Sequence, residues 1–176
     1  MENIYLKLSN TNKINMKSDQ PTFISFYTKN GRYPKKAKVL EESLKLFKLK
    51  YHLVPLNKDF DTWLDAVFYK ATFIFDSLLK FRSSVVWLDI DNEIWQFPSL
   101  LFKDNDFAIY NWFADKDHHL DGKIDYSPNS KKLLCSGGVQ KYGYTAPSIH
   151  LLLHWINLLK TKKDIQFNGD DQYLDL

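Results

Sequence analysis

The chain has 176 residues, 44% of them hydrophobic and 16% aromatic, and 24 basic against 21 acidic side chains give a formal charge of +3. That length and apolar content fit one folded domain with two packed layers and exclude a disordered chain. The near balance of charge, with no aromatic–basic RNA motif and no zinc-finger spacing, argues against nucleic acid as a partner.

A single cysteine, Cys135, leaves no internal disulfide, in keeping with a reducing compartment. Met1–Gln20 is polar and lacks the apolar centre of a secretory signal. The longest apolar stretch, Ile149–Leu159, is interrupted by His150, His154 and Asn157 and is too short to span a bilayer. The expectation is a soluble, cytoplasmic protein with no transmembrane segment. Peripheral membrane association and a homo-oligomer stay open.

Residues 1–20, rich in Asn, Lys and Ser, read as an N-terminal extension or edge element. After Pro21, Thr22–Thr28 is a compact β-prone run, and Lys29-Asn30-Gly31 follows as a turn. Pro34 suits a first helical turn; Ala37, Leu40, Leu44 and Phe47 recur at helical spacing, with Glu41 and Lys45 as an i, i+4 pair. Tyr51–Leu56 is a second strand candidate. Strand, helix and strand in that order predict a right-handed βαβ unit and a parallel sheet.

Thr62 is placed to cap a helix in which Trp63, Val67, Ile74, Leu78 and Phe81 keep helical spacing as far as Arg82, with room for a break near Lys70–Thr72. Arg82-Ser83-Ser84 leads into a strand from Val85. Pro98–Phe102 reads as one helical turn, Asp106–Phe113 as a strand, and Asp115–Ser130 as a polar surface loop. Lys132–Cys135 enters Ser136-Gly137-Gly138, where paired glycines suggest close backbone approach or a bulge. Pro147–Lys160 is a helix candidate with Ile149, Leu152, Leu153, Ile156 and Leu159 on one face. No repeat and no linker divides residues 1–176, so a single α/β domain is expected.

The chemistry centres on Val85–Glu93, an apolar run ending in Asp89-Ile90-Asp91. Alternation along a strand would set both carboxylates on one side at its exit. Two close carboxylates repel each other, and a divalent cation or a shared proton offsets the charge. An acidic turn after a core strand is the plainer reading of this pair alone.

The D-x-D at a strand end, the Gly-Gly ahead of a helix and Asp170-Asp171-Gln172 after it together resemble the GT-A class of nucleotide-diphospho-sugar glycosyltransferases. Phe23–Thr28, Trp63 with Lys70, and the helix containing Trp155 fit the same pattern, from about Thr22 to Asp175. The resemblance implies a single-domain, Rossmann-like α/β fold with a mixed, mainly parallel sheet flanked by helices. It implies transfer of a sugar from a nucleoside-diphosphate sugar, with a UDP-sugar as the expected donor. The acceptor would be a hydroxyl on a glycan, a protein or a lipid-linked molecule.

By the same resemblance Asp89 and Asp91 would hold Mn²⁺ or Mg²⁺ against the donor diphosphate. Asp91 is the better candidate for direct metal contact; Asp89 would meet the ribose or sugar, or reach the metal through water. Ser25, Tyr27 and Thr28 would contact the base or ribose, and Lys70 a phosphate or the sugar, against the alternative of a solvated helix lysine. Gly137 and Gly138 would leave room for the sugar. Asp171 would be the general base for the acceptor hydroxyl, with Asp170 positioning the sugar. The alternative for that pair is an acidic helix N-terminus. No histidine follows Asp171, which leaves the third protein ligand of the metal unassigned. His150 and His154, four apart with no glutamate between them, read as surface or packed residues, and His118-His119 as solvated.

Two other readings stand beside this one. Haloacid-dehalogenase-like, Mg-dependent phosphatases also place an Asp-x-Asp after an apolar strand, but on an early strand, and they prefer Thr or Val where this chain has Glu93. A non-catalytic sugar-nucleotide-binding protein of the same fold is the third.

Overall fold

The computed structural model describes residues 20–57, 60–111 and 135–161. Three helices and five strands are defined there. Strand β1 (Thr22–Thr28) turns Phe23 into one core and Ile24 and Phe26 into another. A strand with apolar side chains on both faces belongs in the interior of a sheet covered on both sides. Gly31, at φ +69, makes the turn that follows. Helix α1 (Tyr33–Leu46) then begins with Pro34 in its first turn and buries Ala37, Leu40 and Leu44, as the spacing predicts. Glu41 and Lys45 pair at 2.7 Å.

Strand β2 (Tyr51–Leu56) runs parallel to β1, with Phe23 opposite Tyr51 and Tyr27 opposite Pro55. Helix α2 (Trp63–Phe81) starts at a full capping box. Thr62 Oγ1 accepts from the Asp65 N–H, and the Asp65 carboxylate accepts from the Thr62 N–H. Reciprocal bonds of this kind satisfy donors that a helix start leaves orphaned. Arg82, at φ 50, closes the other end. The helix is continuous: the break near Lys70–Thr72 does not occur, because Lys70 and Ala71 are both packed inside and hold that turn in place. Trp63, by contrast, lies off the buried stripe and is exposed.

Strand β3 (Val85–Leu88) is parallel to β1, and all four of its residues are buried. A 3₁₀ turn (Ser99–Phe102) precedes β4 (Phe107–Asn111). Strand β5 (Cys135–Tyr142) returns antiparallel to β3, pairing Leu88 with Val139, and antiparallel to β4. The β4–β5 register shifts between Ile109 opposite Gln140 and Asn111 opposite Cys135. The glycines therefore lie inside a strand, at its irregular stretch, which answers the bulge reading.

The sheet order is β2-β1-β3-β5-β4. Helix α3 (Ala146–Thr161) packs with α2 on one face of this sheet, burying Ile149, Leu152, Trp155 and Leu159. Leu153 and Ile156, expected on that face, are only half-buried. Trp155 takes the interior position between them. Helix α1 covers the other face, where Phe23, Leu40, Leu44, Val86 and Leu88 form a second core. The result is a mixed sheet between helices, the Rossmann-like α/β arrangement expected. Burial of side chains this size is worth about 1.5–3 kcal/mol each, so the two cores dominate the fold's stability. Among the described residues no helix is long and apolar enough to cross a membrane.

Candidate functional site

The chain leaves β1 to one side to reach β2, then crosses back to place β3 on the other side of β1. In an open α/β sheet the crevice beyond the carboxyl ends of two such strands is where ligands bind. Thr28 ends β1 there, and Leu88 ends β3. The D-x-D follows immediately.

Strand β3 stops at Leu88, shorter than the apolar run suggests. Residues 89–92 form a turn, closed by the Asn92 N–H donating to the Asp89 carbonyl at 3.0 Å. Strand alternation therefore does not extend to Asp91. Asp89 is half-buried beside the sheet, Ile90 turns into the α1-side core, and Asp91 is exposed on the turn. The expected same-side projection along a strand is replaced by two carboxylates in different settings.

Asp89 is firmly held. Its Oδ1 accepts from the Trp87 indole N–H at 2.8 Å and lies 3.2 Å from Lys70 Nζ. Lys70 also donates to the Gly137 carbonyl at 3.2 Å, and its ammonium stands 5.4 Å from the Trp87 ring centroid. The Lys70 side chain is only 7% exposed, whereas that of Asp89 is 39% exposed. A buried ammonium is costly unless it is paired and hydrogen-bonded. Here a carboxylate, a carbonyl and an aromatic face meet that need together. Lys70 is thus no solvated helix lysine: α2 passes its charge through the core to the open edge of the sheet.

The glycine strand is tied to the same turn. The Gly138 carbonyl accepts from the Asp89 N–H at 2.9 Å and from Asn92 Nδ2 at 2.7 Å. The Gly138 N–H donates to Ser136 Oγ at 3.3 Å. Lys70, Asp89, Gly137 and Gly138, far apart in sequence, are brought together at one point. Trp87, Asn92 and Ser136 join them unannounced by the sequence, although Asn92 directly follows the D-x-D and Trp87 stands two residues before it.

The remaining sequence-derived positions spread along β1. Ser25 is fully buried, and its hydroxyl has no partner among the described residues. Tyr27 and Thr28 are half-buried at the strand end. Tyr27 also borders a cleft of about 240 Å³ lined by Pro34, Ala37, Glu41, Tyr51 and Leu53. Within it Glu41 accepts from the Tyr51 hydroxyl at 2.9 Å and from Lys45. Those bonds, Lys45's first, hold the Glu41 carboxyl below its ordinary range. This cleft lies on the α1 side, while Asp89 faces α2. It is therefore a separate feature from the D-x-D turn.

Among the described residues no three His, Cys, Asp or Glu side chains gather as a ready metal cage. Asp91 and Asp89 Oδ2 are nevertheless hard oxygen donors. One or two carboxylates plus substrate phosphates are the usual protein contribution to a Mg²⁺ site. His150 and His154 are exposed on α3. Asp170, Asp171 and the His118-His119 pair lie outside the described residues, as does the loop expected over 115–130.

Solved structures share this fold. One is the crystal structure of a glycosyltransferase involved in the glycosylation of the major capsid of PBCV-1. It matches with a TM-score of 0.51 and 14% identity over 86% of this chain and 72% of that one. No protein-family model matches the chain, and no curated protein does. At 14% identity the likeness is one of fold.

Proposed function

We propose that this chain is a GT-A-type glycosyltransferase that moves a sugar from a nucleoside-diphosphate sugar, with a UDP-sugar as first candidate, to an acceptor hydroxyl. One observation carries the reading. A D-x-D turn at the crevice between β1 and β3 is joined to a buried lysine and to a glycine strand. The shared fold with a glycosyltransferase supports it.

Each group has a role in that reading. Tyr27 and Thr28 meet the nucleoside at the end of β1, with Ser25 behind them. Lys70 brings a fixed positive charge to the edge where the diphosphate would lie. Asp91, exposed on the turn, and Asp89 would hold a Mn²⁺ or Mg²⁺ ion, with Asp91 as its direct ligand. Such a cation, when bound, supplies charge stabilisation to the departing diphosphate. Gly137 and Gly138 leave space for the sugar. Asp171 takes the acceptor hydroxyl's proton and Asp170 positions the sugar. The acceptor oxygen then forms its bond to the anomeric carbon as the bond to the diphosphate breaks, and the electron pair leaves on the phosphate oxygen. Charge grows on that oxygen as the bond lengthens, so a nearby cation favours the transition state over the bound donor.

Calorimetry against UDP-, GDP- and dTDP-sugars, with and without Mn²⁺ or Mg²⁺, tests the proposal. Wild type should bind at least one of them, and Asp89→Ala and Asp91→Ala should abolish that binding. Failure of the wild type to bind any of them under either condition sinks the donor site.

A further inference from the structure

Large apolar side chains stand in the open on the α1 side of the molecule. Trp95 is 84% exposed and Leu46 74%, and Val39, Phe97 and Leu100 are exposed as well. Scattered singly such residues mean little, whereas a group of them marks a surface that meets something. Here they belong together. The Ile94 N–H donates to Ser43 Oγ at 3.1 Å, which fastens the connection after the D-x-D turn to one flank of α1. Val39 and Leu46 stand one helical turn before and after Ser43 on that flank. Ile94, Leu101 and Phe102 pack down onto the α1-side core, and Trp95, Phe97 and Leu100 are left outside. Phe97 is steadied from beneath, its ring stacked on Phe102 at 4.9 Å between centroids.

The charge beside these side chains is mainly of one sign. Residues 32–50 carry seven basic and two acidic side chains, which exceeds the formal +3 of the whole chain and leaves the remainder net acidic. Both acidic groups are already paired, Glu41 with Lys45 and Glu42 with Lys38. Lys35 and Lys36 lie one turn before Val39, and Lys48 and Lys50 lie just past the end of α1. All four are exposed, and among the described residues none of them forms an ion pair. Glu93 and Asp104 bracket the connection and are outnumbered by these lysines.

Exposed indole, phenyl and leucine side chains beside unpaired lysines are the chemistry of a protein that lies on a negatively charged lipid surface. Aromatic rings settle at the headgroup level, aliphatic groups enter the acyl boundary, and lysine stems let the ammonium reach anionic headgroups. A second copy of this chain is the poorer occupant, because a two-fold contact would set the lysine-rich helix against itself.

We infer that this flank of α1, together with residues 94–100, docks on an anionic lipid bilayer. Trp95, Phe97 and Leu100 enter the interface, and the lysines at both ends of α1 hold the headgroups. The inference stands whatever chemistry the D-x-D turn performs.

Flotation of the full chain with vesicles of phosphatidylcholine alone, and of phosphatidylcholine mixed with phosphatidylglycerol, tests it. Wild type should bind the anionic vesicles about tenfold or more tightly than the neutral ones, and added salt should weaken that binding. Trp95→Ser should keep the wild-type melting temperature, since the side chain is mostly in solvent, and lose about tenfold or more in vesicle affinity. Should that variant melt early, the double change Lys35→Glu with Lys36→Glu carries the comparison, with a similar loss on anionic vesicles alone. A wild type that floats with neither vesicle, equal binding to both, or binding that neither variant weakens overturns the inference. A concentration-dependent dimer that Trp95→Ser dissolves, with no vesicle binding, gives the face to a second copy and overturns it too.

Discussion

Two lysines are buried on opposite faces of the sheet, and they keep different company. Lys70, from α2, is 5% exposed and meets a half-exposed carboxylate, a glycine carbonyl and an indole at the open edge. Lys141, on β5, is 3% exposed and donates to the Lys103 carbonyl and to Asn105 Oδ1. The first ammonium faces a negative group that solvent and ligands can reach. The second faces neutral oxygens of the connection between β3 and β4. Burial pushes the Lys141 ammonium below the ordinary lysine value, with Asp104 pulling the other way. Burial alone therefore does not mark a functional lysine. What matters is whether the partner is a charge at an accessible edge or the backbone of a connecting segment.

Of changes at the two lysines, the largest effect should come from Lys70→Met. It should lower sugar-nucleotide affinity about tenfold to a hundredfold by calorimetry, the loss expected for one charge-assisted contact. Unchanged affinity would make the two lysines equivalent and break the comparison. Lys141→Ala should leave that affinity alone and lower unfolding free energy in urea by about 1–3 kcal/mol, since a buried carbonyl loses its donor. A change in nucleotide affinity there would contradict a purely structural clip. Asn105→Ala removes one acceptor from the same clip and should cost about 1 kcal/mol in the same assay.

The smallest effect is a pH dependence. In the folded chain Lys141 gives up its proton at lower pH than in the unfolded chain, so between the two values the unfolded state carries more protons. Stability from this group therefore rises with pH as 10.5 is approached from below. Urea unfolding of wild type and Lys141→Met at about pH 8 and pH 10 reads the difference. A rise of equal size in the variant would assign the effect elsewhere. The phosphatase alternative has its own check. It expects the pair on an early strand, whereas Asp89 follows the third strand in the chain. Release of phosphate from a generic phosphomonoester, lost in Asp89→Asn, would revive it.

Local chemistry was legible from the residues. The Thr62 cap, the Glu41–Lys45 pair and the bounds of β1 and β2 depend on neighbours a few positions away, and all appear where expected. Lys70 was legible in part. It stands between Val67 and Ile74 on the apolar stripe of α2, and a lysine on a buried stripe implies a buried partner. Which partner could not be read, because Asp89 and Gly137 reach it only through sheet pairing. The early end of β3 was hidden for a different, local reason: the Asn92 N–H closes a turn that no apolar pattern signals. The antiparallel return of β5 depends on long-range register, and so does the meeting of Gly138 with Asp89.

Pro55 has a further consequence. It lies in β2, at one margin of the sheet, opposite Tyr27. Proline carries no amide hydrogen to offer a newcomer, so it interrupts the row of groups a foreign strand would need for zipping on. That single ring is one device by which the margin resists runaway self-association.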